Sequence, residues 1–472
     1  MIQTVRNPRT GERDYTFEPA DGARIAATCE RLRRGQAAWA EATPPARAAV
    51  LQRGKAALQA RRDEIVAALF CDTGRMRETL LEFDGVCRAI DRWCDWAPPW
   101  LAPQSPVATT VPFLQVAAQD VAYPLVGVIS PWNFPLLLSL IDAIPALLAG
   151  SAVVIKPSEV TPRFIEPVRQ AIAAVPELDA VLAYEAGAGA TGEALIGAVD
   201  TVCFTGSVAT GRKVAEAAAS AFIPAFLELG GKDPALVLAD ADVERTSAAL
   251  VWGSMSNAGQ ACQSIERVYV QAPLFNTLVE SLAERLSSLR FCTGTDPAAG
   301  ELAPVIAASQ AGILQAHLDD AVAKGAKVVC GGRIENIGGG LWCQPTLLTR
   351  VDHSMLVMTE ETFGPILPVM AFGEEEEGIG LANDSRFGLS AAVFSSDRAR
   401  ARAVAARLQV GAVSINDSTL TAVMHEGEKQ AFKLSGMGGS RMGRVSLRRF
   451  VRRKALLENT ELAWDPWWYH QA

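Results

Sequence analysis

The feature that most constrains this 472-residue chain is an alternation of short apolar, β-branched runs with longer amphipathic segments, beginning near residue 125. Val126–Ser130 reads as a strand, 136–148 as a helix, Ala152–Ile155 as a strand and 162–174 as a helix. Strand Thr201–Phe204, a helix at 209–219 and strand Ala235–Val237 continue the series. Apolar strands separated by helices must return by crossovers, so this order predicts a parallel sheet with helices on both faces. A second series starts at Asp240, with a helix to about 257, strand Arg267–Val270, and helices near 275–290 and 309–323. Strands Lys327–Cys330 and Ile366–Met370, a helix near 398–408 and strand Ala412–Ile415 complete it. Two such series in a chain too long for one core predict an α/β protein whose two domains meet at a cleft. Residues 20–100 read as helices, 111–130 as strands and EEEE at 374–377 as a solvated turn.

A net charge of −8 leaves no basic footprint, which argues against nucleic acid as a partner. The first residues are polar and lack a signal peptide's apolar core, so the cytoplasm is the expected compartment. The most membrane-like run, 134–155, is broken by Asp142, Pro145 and Gly150, and fits a buried helix and strand better than a membrane span. Nine cysteines without a C-x-x-C pair point to a reducing environment, and four scattered histidines give no support for a metal site.

Several short segments carry chemistry. FTGSVATG places Gly206, Ser207 and Gly211 on a loop that opens a helix, where backbone N–H groups can face a pyrophosphate; a plain strand-to-helix turn is the alternative. KPSE puts Lys156 and Glu159 just past a strand end, where open α/β sheets bind ligands, although a solvated pair flanking Pro157 would look the same. PWNFP holds Asn133 between prolines, as an oxyanion donor or a helix cap. FLELGGKDP contains Glu228, ETFGP contains Glu361, and each carboxylate read alone is equally an ordinary surface or turn residue. NAGQAC presents Cys262, one thiol among nine, which reacts only if its surroundings favour the thiolate.

Taken together and in this order, PWNFP, KPSE, FTGS, ELGGKDP, NAGQAC and EETFGP resemble the aldehyde dehydrogenase superfamily, from NPRTGE at residue 7 to the SGMG segment near 435. The 34 residues from Glu228 to Cys262 match the family's usual separation of base and nucleophile. The resemblance implies a hydrolytic, NAD(P)-dependent enzyme that oxidises a small-molecule aldehyde to its acid. Cys262 would be the nucleophile, Glu228 the general base and Asn133 an oxyanion donor. Trp132, Lys156, Glu159, Gly206, Ser207, Gly211, Glu361 and Phe363 would contact the cofactor, with Glu159 favouring NAD and NADP still open. It also implies a Rossmann-like cofactor domain (1–106 and 122–230), a catalytic domain (231–430) and a small β element for oligomerisation (107–121 and 445–472), in a homodimer or homotetramer. A CoA-acylating relative is the alternative within the superfamily, disfavoured by Glu228, and a thiol esterase is the alternative outside it.

One segment departs from the family pattern. HEGEKQAFKLSGMGG keeps the Ser435–Gly436 core but replaces the glycine turn before it with a charged stretch. That loop borders the aldehyde tunnel in the family, which makes Phe134, Trp252 and Phe432 candidate wall residues, with ordinary core packing as the alternative. Trp464, Trp467, Trp468 and Tyr469 crowd the C-terminal tail, and four aromatics so close are expected to dock on a neighbouring subunit, near the tunnel mouth, or on their own subunit.

Overall fold

The computed structural model describes residues 2–461 and 467–469; Trp464 lies outside them. Four helices open the chain after a short hairpin: Gly22–Glu41, Pro44–Ala60, Arg62–Thr73 and Met76–Trp100. Asp21 and Thr43 cap the first two by accepting the Arg24 and Ala46 N–H groups, as short oxygen-bearing side chains do at helix starts.

The first sheet runs Gly436–Met437, Ala225–Glu228, Thr201–Thr205, Leu125–Ile129, Ala152–Lys156, Leu182–Tyr184, and only the Gly436–Met437 strand is antiparallel. Leu125–Ile129 comes first in the chain but lies between strands that follow it, so the winding reverses beside it. Open α/β sheets bind ligands at the carboxyl ends flanking such a reversal. The expected helix over 136–148 is instead two, Pro135–Leu140 and Ala143–Ala149. The break falls at Asp142, which is buried and bound by Arg441 (2.7 Å) and Arg449 (2.8 Å) from far along the chain. Those two guanidiniums compensate a carboxylate that would otherwise be costly to bury.

The second sheet has seven strands, ordered Lys327–Cys330, Thr346–Thr349, Ile366–Phe372, Ile265–Gln271, Asp233–Val237, Ser390–Phe394, Ala412–Ile415. Asp233–Val237 therefore pairs into this sheet and not the first, because its neighbours Ile265–Gln271 and Ser390–Phe394 offer it parallel ladders. EEEE is no turn. Its last three glutamates form the first turn of helix Glu375–Asn383, where carboxylates favour the dipole.

A third sheet joins Val451–Asn459 to Leu114–Ala122 and Val107–Ala108. Trp467 stacks on Phe113 of the same chain, at 5.7 Å between ring centroids. Among the described residues, no helix is long and apolar enough to cross a membrane.

Candidate active site

Cys262 follows a backbone run that most residues avoid. Asn257, Ala258 and Gly259 all have positive φ, and a Cβ on Gly259 would stand 2.3 Å from the Gly364 carbonyl. Such a run persists only where its surroundings over-determine it. Here the Asn257 amide donates to the Asn133 and Gln260 carbonyls (3.2 and 2.9 Å). Gln260 donates to Asn257 and Pro304 and accepts the Ile306 N–H. Asn133 is buried, and its amide donates to the Gln260 carbonyl at 3.1 Å, two residues before the sulfur; its second N–H remains for a ligand.

These residues meet in a pocket of about 210 Å³ lined by Asn133, Glu228, Cys262 and Glu361, with Trp132 and Phe363 forming an edge-to-face pair 5.4 Å apart. Glu228 ends its strand. Gly231, three residues on, passes so close to Cys262 that a Cβ there would meet the Cys262 carbonyl at 2.6 Å, which accounts for glycine at this position. Burial pushes the Cys262 thiol up to about 11; Lys429 pulls it down, and Glu228, Asp233 and Glu361 push it further up.

Beside this pocket a cleft of about 660 Å³ runs along the reversal of the first sheet. Its walls are Ile129 and Ser130 on one strand end, Lys156 and Glu159 on the next, and Gly206, Ser207, Thr210 and Lys213 on the glycine loop and its helix. Lys156 is buried and lies 3.2 Å from the Glu159 carboxylate. Ser207 caps helix Val208–Ser220 by accepting the Thr210 N–H. The buried Ser130 hydroxyl has no partner among the described residues, although it sits on the cleft floor. Cleft and pocket share Pro131, Trp132, Thr205, Gly206 and Ser207, so one opens onto the other.

A family model, the aldehyde dehydrogenase family, matches residues 2–456. The chain belongs to the aldehyde dehydrogenase family. Among curated relatives, a 4,4'-diapolycopene aldehyde oxidase from Methylomonas is 40% identical over 87% of this chain and 77% of its own. Among solved structures, a putative aldehyde dehydrogenase, PutA, from Anabaena variabilis has a TM-score of 0.98 at 52% identity, over the whole of both chains. Betaine aldehyde dehydrogenase from Staphylococcus aureus in complex with NAD+ has a TM-score of 0.92 at 29% identity, covering 100% of this chain and 94% of that one.

Trp132, Asn133, Lys156, Glu159, Gly206, Glu228, Cys262 and Glu361 line the cleft or pocket of this member of the aldehyde dehydrogenase family. Ser207 and Phe363 do so as well. Gly211, expected at the cofactor, is not among the residues lining the cleft; a Cβ there would stand 2.6 Å from the Leu229 side chain, so its helix packs closely against that residue. Phe134 lies under the Arg75 guanidinium at 4.4 Å, while Trp252 and Phe432 are exposed, and none of the three lines the pocket around Cys262. Gln310, Ser130 and Lys213 also line the pocket or cleft and Lys429 faces Cys262; of the four, only Lys429 lies in a segment that the sequence marks, the loop that departs from the family.

Proposed function

We propose that the protein oxidises an aldehyde to its carboxylic acid through a covalent adduct on Cys262, using NAD+ or NADP+. The observation that carries this reading is the shared wall between the dinucleotide-sized cleft and the pocket holding Cys262, Asn133 and Glu228. The cleft fits such a cofactor: it offers a glycine loop at a helix N-terminus, a Lys–Glu pair at a strand end and a partnerless buried hydroxyl. Glu159 suits a 2′-hydroxyl, and Lys213 in the same cleft suits a 2′-phosphate, so both dinucleotides belong in the assay.

The Cys262 thiolate adds to the carbonyl carbon and forms a thiohemiacetal. The free N–H of Asn133 and the backbone N–H at residue 262 hold the oxyanion, and losing one such donor costs about 10²–10³ in rate. Trp132, Phe363 and Glu361 would hold a nicotinamide against this pocket, where it would accept the hydride lost from the adduct carbon and leave a thioester on Cys262. Glu228 then removes a proton from a water molecule, whose oxygen attacks the thioester carbon and releases the acid and the thiol. A carboxylate beside the sulfur supports hydrolysis over transfer to coenzyme A. The third sheet, with an exposed edge strand, supports a homodimer or homotetramer, and nine free cysteines support a reducing compartment such as the cytoplasm.

Mixing the protein with either dinucleotide and a panel of aliphatic and aromatic aldehydes, including betaine aldehyde and 4,4'-diapolycopene aldehyde, should raise absorbance of the reduced cofactor. Cys262→Ala should abolish turnover. Glu228→Gln should give one burst of reduced cofactor and then stall. Absence of any burst in the parent with every aldehyde, under thiol reductant, would refute the proposal.

A further inference from the structure

The charged stretch that replaces the family's glycine turn is held in place from both sides. Gly436 and Met437 pair with Glu228 and Leu227, the Leu229 N–H donates to the Ser435 carbonyl (2.9 Å), and the Ser435 hydroxyl accepts the Gly388 N–H (2.9 Å). The Lys429 N–H donates to the Ser440 hydroxyl (3.0 Å), which in turn donates to the Met442 carbonyl (2.9 Å). These anchors lay the segment beside the strand that ends in Glu228. The Lys429 ammonium then stands 3.8 Å from the Glu228 carboxylate, with only 10% and 15% of the two side chains exposed.

The charges facing Cys262 come from four elements: Glu228 from its strand, Asp233 from the next, Glu361 from the loop after Thr359, and Lys429 from the departing segment. Three are carboxyls, and Lys429 is the cation among them. A thiol acts as a nucleophile only as the thiolate, and low-pKa cysteines elsewhere lie beside a cation or a helix N-terminus. Carboxylates alone would favour the protonated sulfur.

We propose that Lys429, 3.8 Å from the Glu228 side chain, is a positioning residue that supplies the positive charge under which Cys262 reacts as a nucleophile. This rests on Cys262 being the nucleophile. The ammonium is a compact point charge on a flexible stem, so it can serve the Glu228 carboxylate before addition and the sulfur when the thiolate forms. No bond to Lys429 forms or breaks.

The test is alkylation of the full-length, cofactor-free protein with iodoacetamide from neutral to alkaline pH, with modification at each cysteine read by peptide mass spectrometry. In the parent, Cys262 modification should rise with pH through a measurable inflection. Lys429→Met should slow Cys262 roughly tenfold at neutral pH and move its inflection upward, because a nearby opposite charge shifts a pKa by about 1–3 units. Lys429→Arg should restore most of the rate, and the remaining cysteines should not change. The pH profile of kcat/KM should shift in the same sense. If Lys429→Met unfolds the chain, Lys429→Gln removes the same charge and is read identically. The same Cys262 rate and inflection in the uncharged variant overturns the role of Lys429 alone. Turnover by Cys262→Ala overturns the nucleophile and this inference with it.

Discussion

Glu361 shows how one side chain can be legible by type and not by state. Its motif marks it as a cofactor contact, but its protonation depends on what the fold packs around it. Burial, with Glu266 adding to it, pushes its carboxyl up to about 8, against the Gly231 N–H at 3.2 Å and Lys232, which favour the charge. A carboxyl whose pKa is higher folded than unfolded binds more protons in the native state. Its contribution is therefore most favourable at low pH and is lost as pH climbs from the ordinary carboxylate range through about 8. Glu361→Gln keeps the shape of the neutral form and has no proton to lose. Its urea midpoint should gain on that of the parent across that window and keep a constant lead above it. A gap that stays constant within the window as well would mean that Glu361 is already ionised in the folded chain. The motifs single out Glu361, Cys262 and Glu228, and the fold brings all three to the lining of one pocket. It could not place Lys429 there, because that contact depends on Gly436–Met437 pairing with a strand about two hundred residues earlier.

The loop that carries Glu361 and Phe363 is an element without regular structure, held by a buried hydrogen-bond network. Glu266 accepts the Thr362 and Phe363 N–H groups at 2.7 and 2.8 Å. The fully buried Lys232 ammonium donates to Glu266 (2.7 Å) and to the Thr362 hydroxyl (2.8 Å), and Gln310 donates to the Thr362 carbonyl (2.7 Å). Removing one partner from a buried pair leaves an uncompensated charge and costs about 3–5 kcal/mol. Lys232→Met should therefore lose about that much in urea unfolding and should weaken NAD(P)+ binding by loosening the Phe363 wall. Lys232→Met with Glu266→Leu should recover part of the stability, since it removes both charges, but not the affinity. Equal stability for parent and Lys232→Met would contradict the buried pair. The elements that could be read in advance were those whose apolar run was long enough to fix a period, such as Ala152–Lys156 and Ile265–Gln271. Leu182–Tyr184 spans three residues, and Gly189–Ile196 begins with glycine and carries another inside, so neither shows a period or a propensity strong enough to stand out. Asp142 splits a helix for a reason 300 residues away, in Arg441 and Arg449.

At the scale of the whole molecule, the third sheet stands out because it leaves an edge. Val451–Asn459 pairs along nine residues with Leu114–Ala122 on one side and has no strand on the other among the described residues. Long strand edges invite pairing with another chain, and native proteins usually cover or charge them. Arg452, Arg453 and Lys454 charge the first half of this one, but Leu456 and Leu457 in the second half are 48% and 80% exposed. Successive residues of a strand face opposite ways, so the two leucines present apolar surface on both faces. Trp467 and Trp468 add half-exposed rings, Trp467 resting on Phe113 at the start of the adjoining strand. A second copy of the chain would bury all of these at once, whereas the Trp467–Phe113 contact within one subunit adds no strand to that edge among the described residues. Leu457→Asp places a charge where that copy would lie and should shift sedimentation toward a smaller species, with secondary structure unchanged. Deleting residues 461–472 should do the same only if the tail reaches the neighbouring subunit; if it packs solely on its own chain, the truncated protein should sediment as the full chain does, corrected for its mass. A parent that already sediments as a monomer would remove the assembly altogether, and the exposed leucines would then need another partner.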